Sequence, residues 1–137
     1  MKVGDYEIQE GLYYTKEHEW AKVEDNKVTV GIDDYAQKLL KDVVYVELPE
    51  KGTAVEQMKA FGIVESVKAV SDLYAPVSGA VADFNTRLDD EPELVNTGPY
   101  GEGWMIVIEP SNLEADLANL MNAESYSEYI KKLMEEH

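Results

Sequence analysis

The chain has 137 residues, of which 12 are basic and 28 acidic, so its formal net charge is −16. This length predicts a single domain over residues 1–137, and a hydrophobic content of 45% is enough to form a core. The absence of cysteine excludes thiolate nucleophiles, disulfides and Cys-ligated zinc or iron–sulfur sites.

The charge and hydropathy of the chain also limit the classes of partner that it can bind. A phosphate-binding surface needs clustered Lys and Arg, whereas Arg87 is the only arginine. No apolar run approaches the ~18–20 residues of a membrane span, and the first ten residues lack the basic and apolar regions of a secretory signal. We therefore expect a cytoplasmic protein that binds neither nucleic acid nor membrane.

The predicted elements begin with a β-hairpin. Apolar and polar residues alternate over residues 20–24 and 27–32, on either side of a two-residue turn at Asp25 and Asn26. Asp33 and Asp34 then favour the start of a short helix that runs from about residue 33 to 40. Further strands are predicted at residues 43–48, 61–67, 69–74, 77–84 and 104–108.

The last third of the chain has a different pattern. Residues 89–103 are rich in proline and glycine and are predicted to form an ordered surface loop. Ser111 and Glu114 fit a capping box, and apolar residues at helical spacing follow within residues 111–134. We therefore predict an α+β, mostly β fold with an antiparallel sheet, a core over about residues 13–110 and C-terminal helices.

No conventional catalytic or metal site can be assembled from the sequence. Neither His18 nor His137 has a cysteine partner, and the nucleophile-elbow and phosphate-binding glycine motifs are absent. Carboxylate pairs occur by chance in so acidic a chain, so they carry little weight. The sequence therefore predicts no enzyme acting alone and no metal.

Lys68 stands out because of the residues that surround it. Two β-branched segments meet at this lysine, so a hairpin would hold its amine at an exposed tip. An ordinary lysine amine is protonated at neutral pH, which makes it a poor general base but leaves it accessible to an enzyme that modifies it. Taken alone, the pattern also fits a plain solvated turn lysine.

Sequence blocks around and beyond this lysine carry a resemblance. Gly52 lies 16 residues before Lys68 and Gly79 lies 11 after it. The blocks run in order over about residues 13–110 and include residues 14–20 (YTKEHEW), 44–49 (VYVELP), 64–69 (VESVKA), 75–79 (APVSG), 92–96 (PELVN) and 99–104 (PYGEGW). With them, the chain resembles the lipoyl and biotinyl carrier superfamily and is most similar to the H-protein family of the glycine cleavage system.

The resemblance implies a fold and a function. The fold would be a flattened antiparallel β-sandwich or barrel of the lipoyl-carrier type, with lipoic acid joined as an amide to Lys68 on a hairpin. The lipoyl arm would shuttle a methylamine group from glycine decarboxylase to the tetrahydrofolate-dependent aminomethyltransferase, and dihydrolipoamide dehydrogenase would reoxidise it. The chain would thus be a non-catalytic carrier.

The resemblance also implies roles for four other residues. Glu65 and Gly79 match positions that help a lipoate-attaching enzyme recognise the hairpin. Glu19 and Asp72 match positions that line a groove for the loaded arm, where carboxylates suit an ammonium group.

Three alternatives stay open at this point. The first is an H-like lipoate relay that donates its lipoyl group to other acceptor proteins. The second is a biotin acceptor, because Met58, Lys59 and Ala60 partly match the Met-Lys-Met of biotin carriers; Val70 stands eleven residues after Lys59, where a carrier has glycine. Met58 also replaces the turn glycine that relatives usually have. The third alternative is a free-standing enzyme that works without lipoylation.

Overall fold

Turn-forming residues and the alternation of apolar and polar residues produce a largely antiparallel β structure with short helices. The computed structural model describes residues 1–136, so His137 lies outside the described residues. The elements in chain order are β1 (Lys2–Val3), β2 (Tyr6–Glu7), β3 (Tyr13–Tyr14), β4 (Glu19–Glu24), β5 (Lys27–Ile32), α1 (Asp34–Leu40), β6 (Val43–Glu47), β7 (Ala54–Val55), β8 (Ala60–Ser66), β9 (Val70–Tyr74), β10 (Gly79–Phe84), α2 (Arg87–Asp90), α3 (Leu94–Thr97), β11 (Ile106–Pro110), α4 (Leu113–Leu117) and α5 (Ala123–Glu135).

The first predicted hairpin and helix form as expected, for local reasons. Asp25 and Asn26, between β4 and β5, both have positive φ (49° and 62°), as a two-residue turn matching the strand twist requires. Asp33 caps α1, where its Oδ1 accepts a hydrogen bond of 2.8 Å from the backbone N–H of Ala36.

The strands form three antiparallel sheets among the described residues. The largest has the order β3-β4-β5-β11-β10-β7, a second has the order β6-β8-β9, and β1 and β2 form a small N-terminal hairpin. This confirms the mostly β, α+β class. The sheets do not close into a barrel, so the sandwich alternative describes the architecture better.

The core draws on both large sheets. One cluster joins β5 and the segment before β11 to β6, β8 and β9 and includes Ile32, Val46, Val64, Leu73 and Met105. A second joins the N-terminal hairpin to α5 and includes Ile8, Tyr14, Trp20, Tyr126 and Ile130.

Two predictions in the last third of the chain are wrong. The segment 89–103 is not only a surface loop, because it contains α3, whose Leu94 and Val95 are buried in the core. The capping box at Ser111 does not form. The backbone N–H of Ser111 donates to the carbonyl of Ser78 (3.1 Å), so Ser111 is still hydrogen-bonded to the segment that leads into β10, and α4 begins after Asn112.

Candidate functional site

Lys68 lies at the tip of the β8–β9 hairpin, in a turn that is held from two sides. The Ser66 hydroxyl accepts hydrogen bonds from the backbone N–H groups of Lys68 (3.1 Å) and Ala69 (3.0 Å). The N–H of Val67 donates to the carbonyl of Asp42 (3.0 Å), which ties the tip to the segment before β6. Lys68 is exposed and takes part in none of the ion pairs among residues 1–136. The turn therefore presents a free amine on an ordered backbone.

A cavity of about 140 Å³ is lined by β9 of this hairpin, by α1 and by the turn that leads into β4. The two predicted groove residues, Glu19 and Asp72, both line it, so the fold brings together residues that are far apart in the sequence. The apolar part of the lining consists of Ile32, Ala36, Leu39, Leu40, Val64 and Leu73. The cavity thus combines an apolar wall with carboxyl groups.

Glu19 is only 1% exposed, which distinguishes it from a solvated surface acid. Its Oε1 accepts a hydrogen bond of 2.5 Å from the hydroxyl of Thr15, and its Oε2 accepts one of 3.2 Å from the N–H of Tyr74. Burial raises the pKa of Glu19 from 4.5 to about 7, against the opposing effect of these two hydrogen bonds. The carboxyl group therefore exchanges its proton near neutral pH.

Thr15 explains why the backbone turns at this point. Its hydroxyl oxygen accepts hydrogen bonds from the N–H groups of Glu17 (3.1 Å) and Glu19 (3.2 Å) while it donates to the Glu19 side chain. The turn places His18 at a positive φ of 75°, a conformation that is uncommon for a residue with a side chain. One hydroxyl thus organises both the turn and the buried carboxyl group.

A chain of three polar groups leads from the cavity into the core: His18 is half-buried and lines the cavity, and Tyr126 and Asp33 are buried. Nδ1 of His18 lies 2.6 Å from the hydroxyl of Tyr126, and that hydroxyl donates to Oδ2 of Asp33. Burial raises the pKa of Asp33 to about 7 and lowers the pKa of His18 to about 4. With Asp33 ionised, Tyr126 donates to the carboxylate and accepts from the Nδ1–H of a neutral His18.

Comparison with known proteins identifies the family of the chain. The family model described as "Glycine cleavage H-protein" matches residues 12–133. The chain belongs to the glycine cleavage H-protein family. It is 57% identical over 134 residues to the probable glycine cleavage system H protein of Pyrococcus abyssi, covering 97% of this chain and 99% of that one. It is 52% identical over 126 residues to the glycine cleavage system H protein of Anaeromyxobacter sp. strain K, covering 92% and 98%.

A solved structure supports the same assignment. The crystal structure of a glycine cleavage system H protein from Mycobacterium marinum superposes with a TM-score of 0.83 at 37% identity, covering 90% of this chain and 99% of that one. The family and the fold are therefore shown together. Family membership also makes a carrier role in glycine cleavage the coarse function of the chain.

The two residues predicted to help a lipoate-attaching enzyme recognise the hairpin lie on different strands. Glu65 lies on β8 and is half-buried on the hairpin that carries Lys68. Gly79 lies on β10, where an added Cβ would come 2.1 Å from the carbonyl oxygen of Glu109. Gly79 thus has a steric reason to be glycine, and its role in recognition stays a prediction.

The alternative lysine occupies another turn. Lys59 lies directly before β8 and forms an exposed ion pair of 3.2 Å with Glu56. Met58 has a φ of 62°, a left-handed conformation that glycine adopts more readily than a residue with a side chain.

Two further findings concern the described residues only. No helix within residues 1–136 is long and apolar enough to cross a membrane. No group of three or more His, Asp and Glu side chains in that range is placed to hold a metal ion. The His18–Tyr126–Asp33 chain was not predicted, because Tyr126 fits an apolar helical stripe in the sequence and nothing there indicates a polar role.

Proposed function

We propose that the chain is a single-domain, non-catalytic carrier of the glycine cleavage system, with lipoic acid attached to Lys68. Glycine decarboxylase would load a methylamine group, the tetrahydrofolate-dependent aminomethyltransferase would receive it, and dihydrolipoamide dehydrogenase would restore the disulfide. The observation that carries the proposal is that one hairpin presents Lys68 at its tip and lines the cavity that contains Glu19.

The residues present fit a lipoyl group. The bound group supplies the reducible disulfide that a cysteine-free chain lacks. Attachment through an amide removes one positive charge, which changes the net charge from −16 to −17. The exposed amine meets the requirement of the attachment step, and the apolar wall of the cavity suits an alkyl arm.

Glu19 and Asp72 provide the polar part of the fit. A methylamine group is cationic when protonated, and a carboxylate binds such a group through charge-assisted hydrogen bonds. Glu19 reaches the cavity from a buried position, where water screens the attraction less than at the surface. Thr15 and the N–H of Tyr74 hold its two oxygens, so the carboxyl group needs little reordering to accept the cation.

The test begins with modification of the unmodified chain. The protein is incubated with lipoate, ATP and a lipoate–protein ligase, then analysed by intact mass and peptide mapping. We expect one lipoyl group on Lys68 in the wild type and in the matched control Lys59→Arg, and none in Lys68→Arg. Modification at Lys59, or modification by a biotin ligase instead, would contradict the proposal.

A second measurement addresses the role of the loaded chain. The lipoylated protein is mixed with glycine decarboxylase and glycine, and reduction of the disulfide is followed by thiol titration. We expect reduction that depends on both glycine and the enzyme. Transfer of the lipoyl group to another acceptor domain, without any reduction by glycine decarboxylase, would instead assign the chain to the lipoate relay.

A further inference from the structure

The two ring nitrogens of His18 have different surroundings. Nδ1 lies 2.6 Å from the hydroxyl of Tyr126, so this edge of the ring faces the core. Nε2 makes none of the hydrogen bonds within residues 1–136. Because no fully buried side-chain nitrogen or oxygen in that range lacks a partner, Nε2 is not fully buried. His18 lines the cavity, so Nε2 is available to a group that enters it.

Aromatic neighbours and the backbone hold the His18 ring in this orientation. The ring centroid of Tyr35 lies 4.6 Å from that of His18, and the Tyr129 ring stacks against it at 6.1 Å with an angle of 29° between the planes. The carbonyl of His18 accepts a hydrogen bond of 3.0 Å from the N–H of Asp33, which ties the turn to the start of α1. A ring held in this way keeps Nδ1 toward the core, so only the position of its proton can vary.

The position of that proton depends on Asp33, because the Tyr126 hydroxyl has only one proton to donate. An ionised Asp33 accepts that proton, so the hydroxyl accepts from the Nδ1–H of His18 and Nε2 is left as an acceptor. A protonated Asp33 carries its proton on Oδ2, because Oδ1 already accepts from the N–H of Ala36. The chain of hydrogen bonds then reverses, Nδ1 accepts, and Nε2 carries the proton. The state of Asp33 thus decides whether His18 accepts or donates in the cavity.

Asp33 changes its protonation state near neutral pH, whereas His18 stays neutral. Burial raises the pKa of Asp33 to about 7 and lowers that of His18 to about 4. The carboxyl groups that face these two residues are those of Glu17, Glu19 and Asp72 around the cavity and Asp34, which is paired with Lys38. The tyrosines that face them have pKa values raised by burial and stay neutral: Tyr14, Tyr35, Tyr100, Tyr126 and Tyr129. Glu19 also has a pKa of about 7, so its effect has to be separated by a variant.

A cation in the cavity distinguishes the two states of His18. An ammonium group has three donors and no acceptor, so one carboxylate cannot satisfy all of its N–H groups. An unprotonated Nε2 can accept one of them, and hydrogen bonds to charged groups are stronger than neutral ones. A protonated Nε2 would instead direct a donor at the cation and repel it.

We propose that His18 binds the methylamine group in the cavity through its unprotonated Nε2, and that Asp33 and Tyr126 are positioning residues that keep the proton of His18 on Nδ1. Glu19 supplies the charge in this arrangement and His18 supplies a neutral acceptor. The inference rests on the proposed function for the identity of the cation. The tautomer of His18, in contrast, is a property of the unmodified chain and can be measured without the lipoyl group.

The first measurement determines that tautomer by ¹⁵N NMR of histidine-labelled, unmodified protein between pH 5.5 and 8.5, with His137→Gln to assign the signals. In the wild type and in Glu19→Gln we expect the proton on Nδ1 at pH 8.5 and its transfer to Nε2 as pH falls through about 7. Asp33→Asn should keep the proton on Nε2 at every pH, because its amide oxygen accepts from Ala36 and its NH₂ group donates to the Tyr126 hydroxyl. The control Asp89→Asn, which removes an exposed carboxylate on α2, should match the wild type.

The second measurement tests contact with the methylamine group. Lipoylated protein is loaded with glycine by glycine decarboxylase, separated from the enzyme and assayed for ammonia. Hydrolysis of the loaded arm consumes one water and yields a thiol, formaldehyde and an ammonium ion, and it proceeds from the neutral amine, so an acceptor that keeps the amine protonated slows it. At pH 8.5 we expect Asp33→Asn to release ammonia about tenfold faster than the wild type, equivalent to about 1.4 kcal/mol. This ratio should approach one at pH 5.5, where Asp33 of the wild type is protonated as well, and Asp89→Asn should match the wild type throughout.

The outcomes separate this inference from the function beneath it. A wild type with its proton on Nε2 at pH 8.5, or with a tautomer that does not change with pH, would overturn the positioning role. Equal release from the wild type and Asp33→Asn, or a ratio that is independent of pH, would overturn the contact with the methylamine group. A chain that is not lipoylated at Lys68 would overturn the proposed function and that contact, and the tautomer would still decide the positioning role. If Asp33→Asn does not fold, Tyr126→Phe replaces it, because it also disconnects His18 from Asp33.

Discussion

Titration of Glu19 should make the stability of the chain depend on pH with a defined sign. The pKa of this carboxyl group rises from 4.5 to about 7 because folding buries it, so the folded chain holds a proton that the unfolded chain has released between those values. Stability rises with pH where the unfolded state binds more protons, and here the folded state binds more. The Glu19 contribution is therefore present below about pH 4.5 and is lost as pH rises through about 7.

The magnitude follows from the size of the shift. One pKa unit corresponds to about 1.4 kcal/mol, so the free energy of unfolding should fall by about 3 kcal/mol between pH 5 and pH 8 through Glu19. Asp33 acts in the same direction, since its pKa also rises to about 7. His18 acts in the opposite direction between pH 4 and 6.5, because burial lowers its pKa to about 4.

The variant Glu19→Gln isolates one of these three contributions. Urea unfolding of the wild type and the variant at pH 5, 6, 7 and 8 gives the difference in the free energy of unfolding at each pH. Across this range we expect the free energy of unfolding of the wild type to fall by about 3 kcal/mol relative to that of the variant. The variant itself should be destabilised at every pH by about 1 kcal/mol, because glutamine cannot reproduce one of the hydrogen bonds. The control Glu17→Gln removes an exposed carboxyl group two residues away. Parallel curves for the wild type and Glu19→Gln would refute the assignment of a raised pKa to Glu19.

Three further changes test the structure at other points. Met58→Gly should raise the free energy of unfolding by up to about 1 kcal/mol in urea titrations, because glycine adopts positive φ freely, whereas Met58→Ala should give no gain. Gly79→Ala should lower the free energy of unfolding by about 3 kcal/mol, because the added Cβ would lie 2.1 Å from a backbone oxygen. The control Gly101→Ala, whose Cβ would have no atom within 4 Å, should melt like the wild type. Tyr126→Phe should lower the free energy of unfolding by about 3 kcal/mol and shift the ring ¹⁵N NMR signals of His18, because it removes the hydroxyl that contacts both His18 and Asp33. A loss of stability no larger than that of Tyr129→Phe would contradict this.

Features set by neighbouring residues were predictable from the sequence. The Asp25–Asn26 turn and the Asp33 cap depend on the conformations of two or three consecutive residues, and the lysine hairpin follows from two short apolar segments. The α3 helix was missed because two prolines and three glycines lie within segment 89–103, and such residues favour turns and loops. The burial of Leu94 and Val95 outweighs that composition, and burial of this kind is set by the tertiary fold.

Contacts between distant segments could not be predicted. Tyr126 is 108 residues from His18 and 93 from Asp33, so no local pattern connects them. The sequence placed Glu19 in the groove only through the family resemblance, and nothing in it indicated that the carboxyl group is buried. Burial depends on Thr15, on the N–H of Tyr74 and on the apolar cluster around the cavity, which meet only in the folded chain.

The cost of burying Glu19 is consistent with the proposed function. A solvated carboxylate in its place, such as that of Glu17, would leave folding almost unaffected but would attract an ammonium group weakly, because water screens the interaction. The buried group is less stable when ionised, and a cation in the cavity would lower its pKa and stabilise the ionised form. Binding of the cationic arm should therefore tighten as pH rises through about 7, over the range in which the chain without it loses stability. The same carboxyl group thus destabilises the fold at neutral pH and provides the charge that would hold the methylamine group.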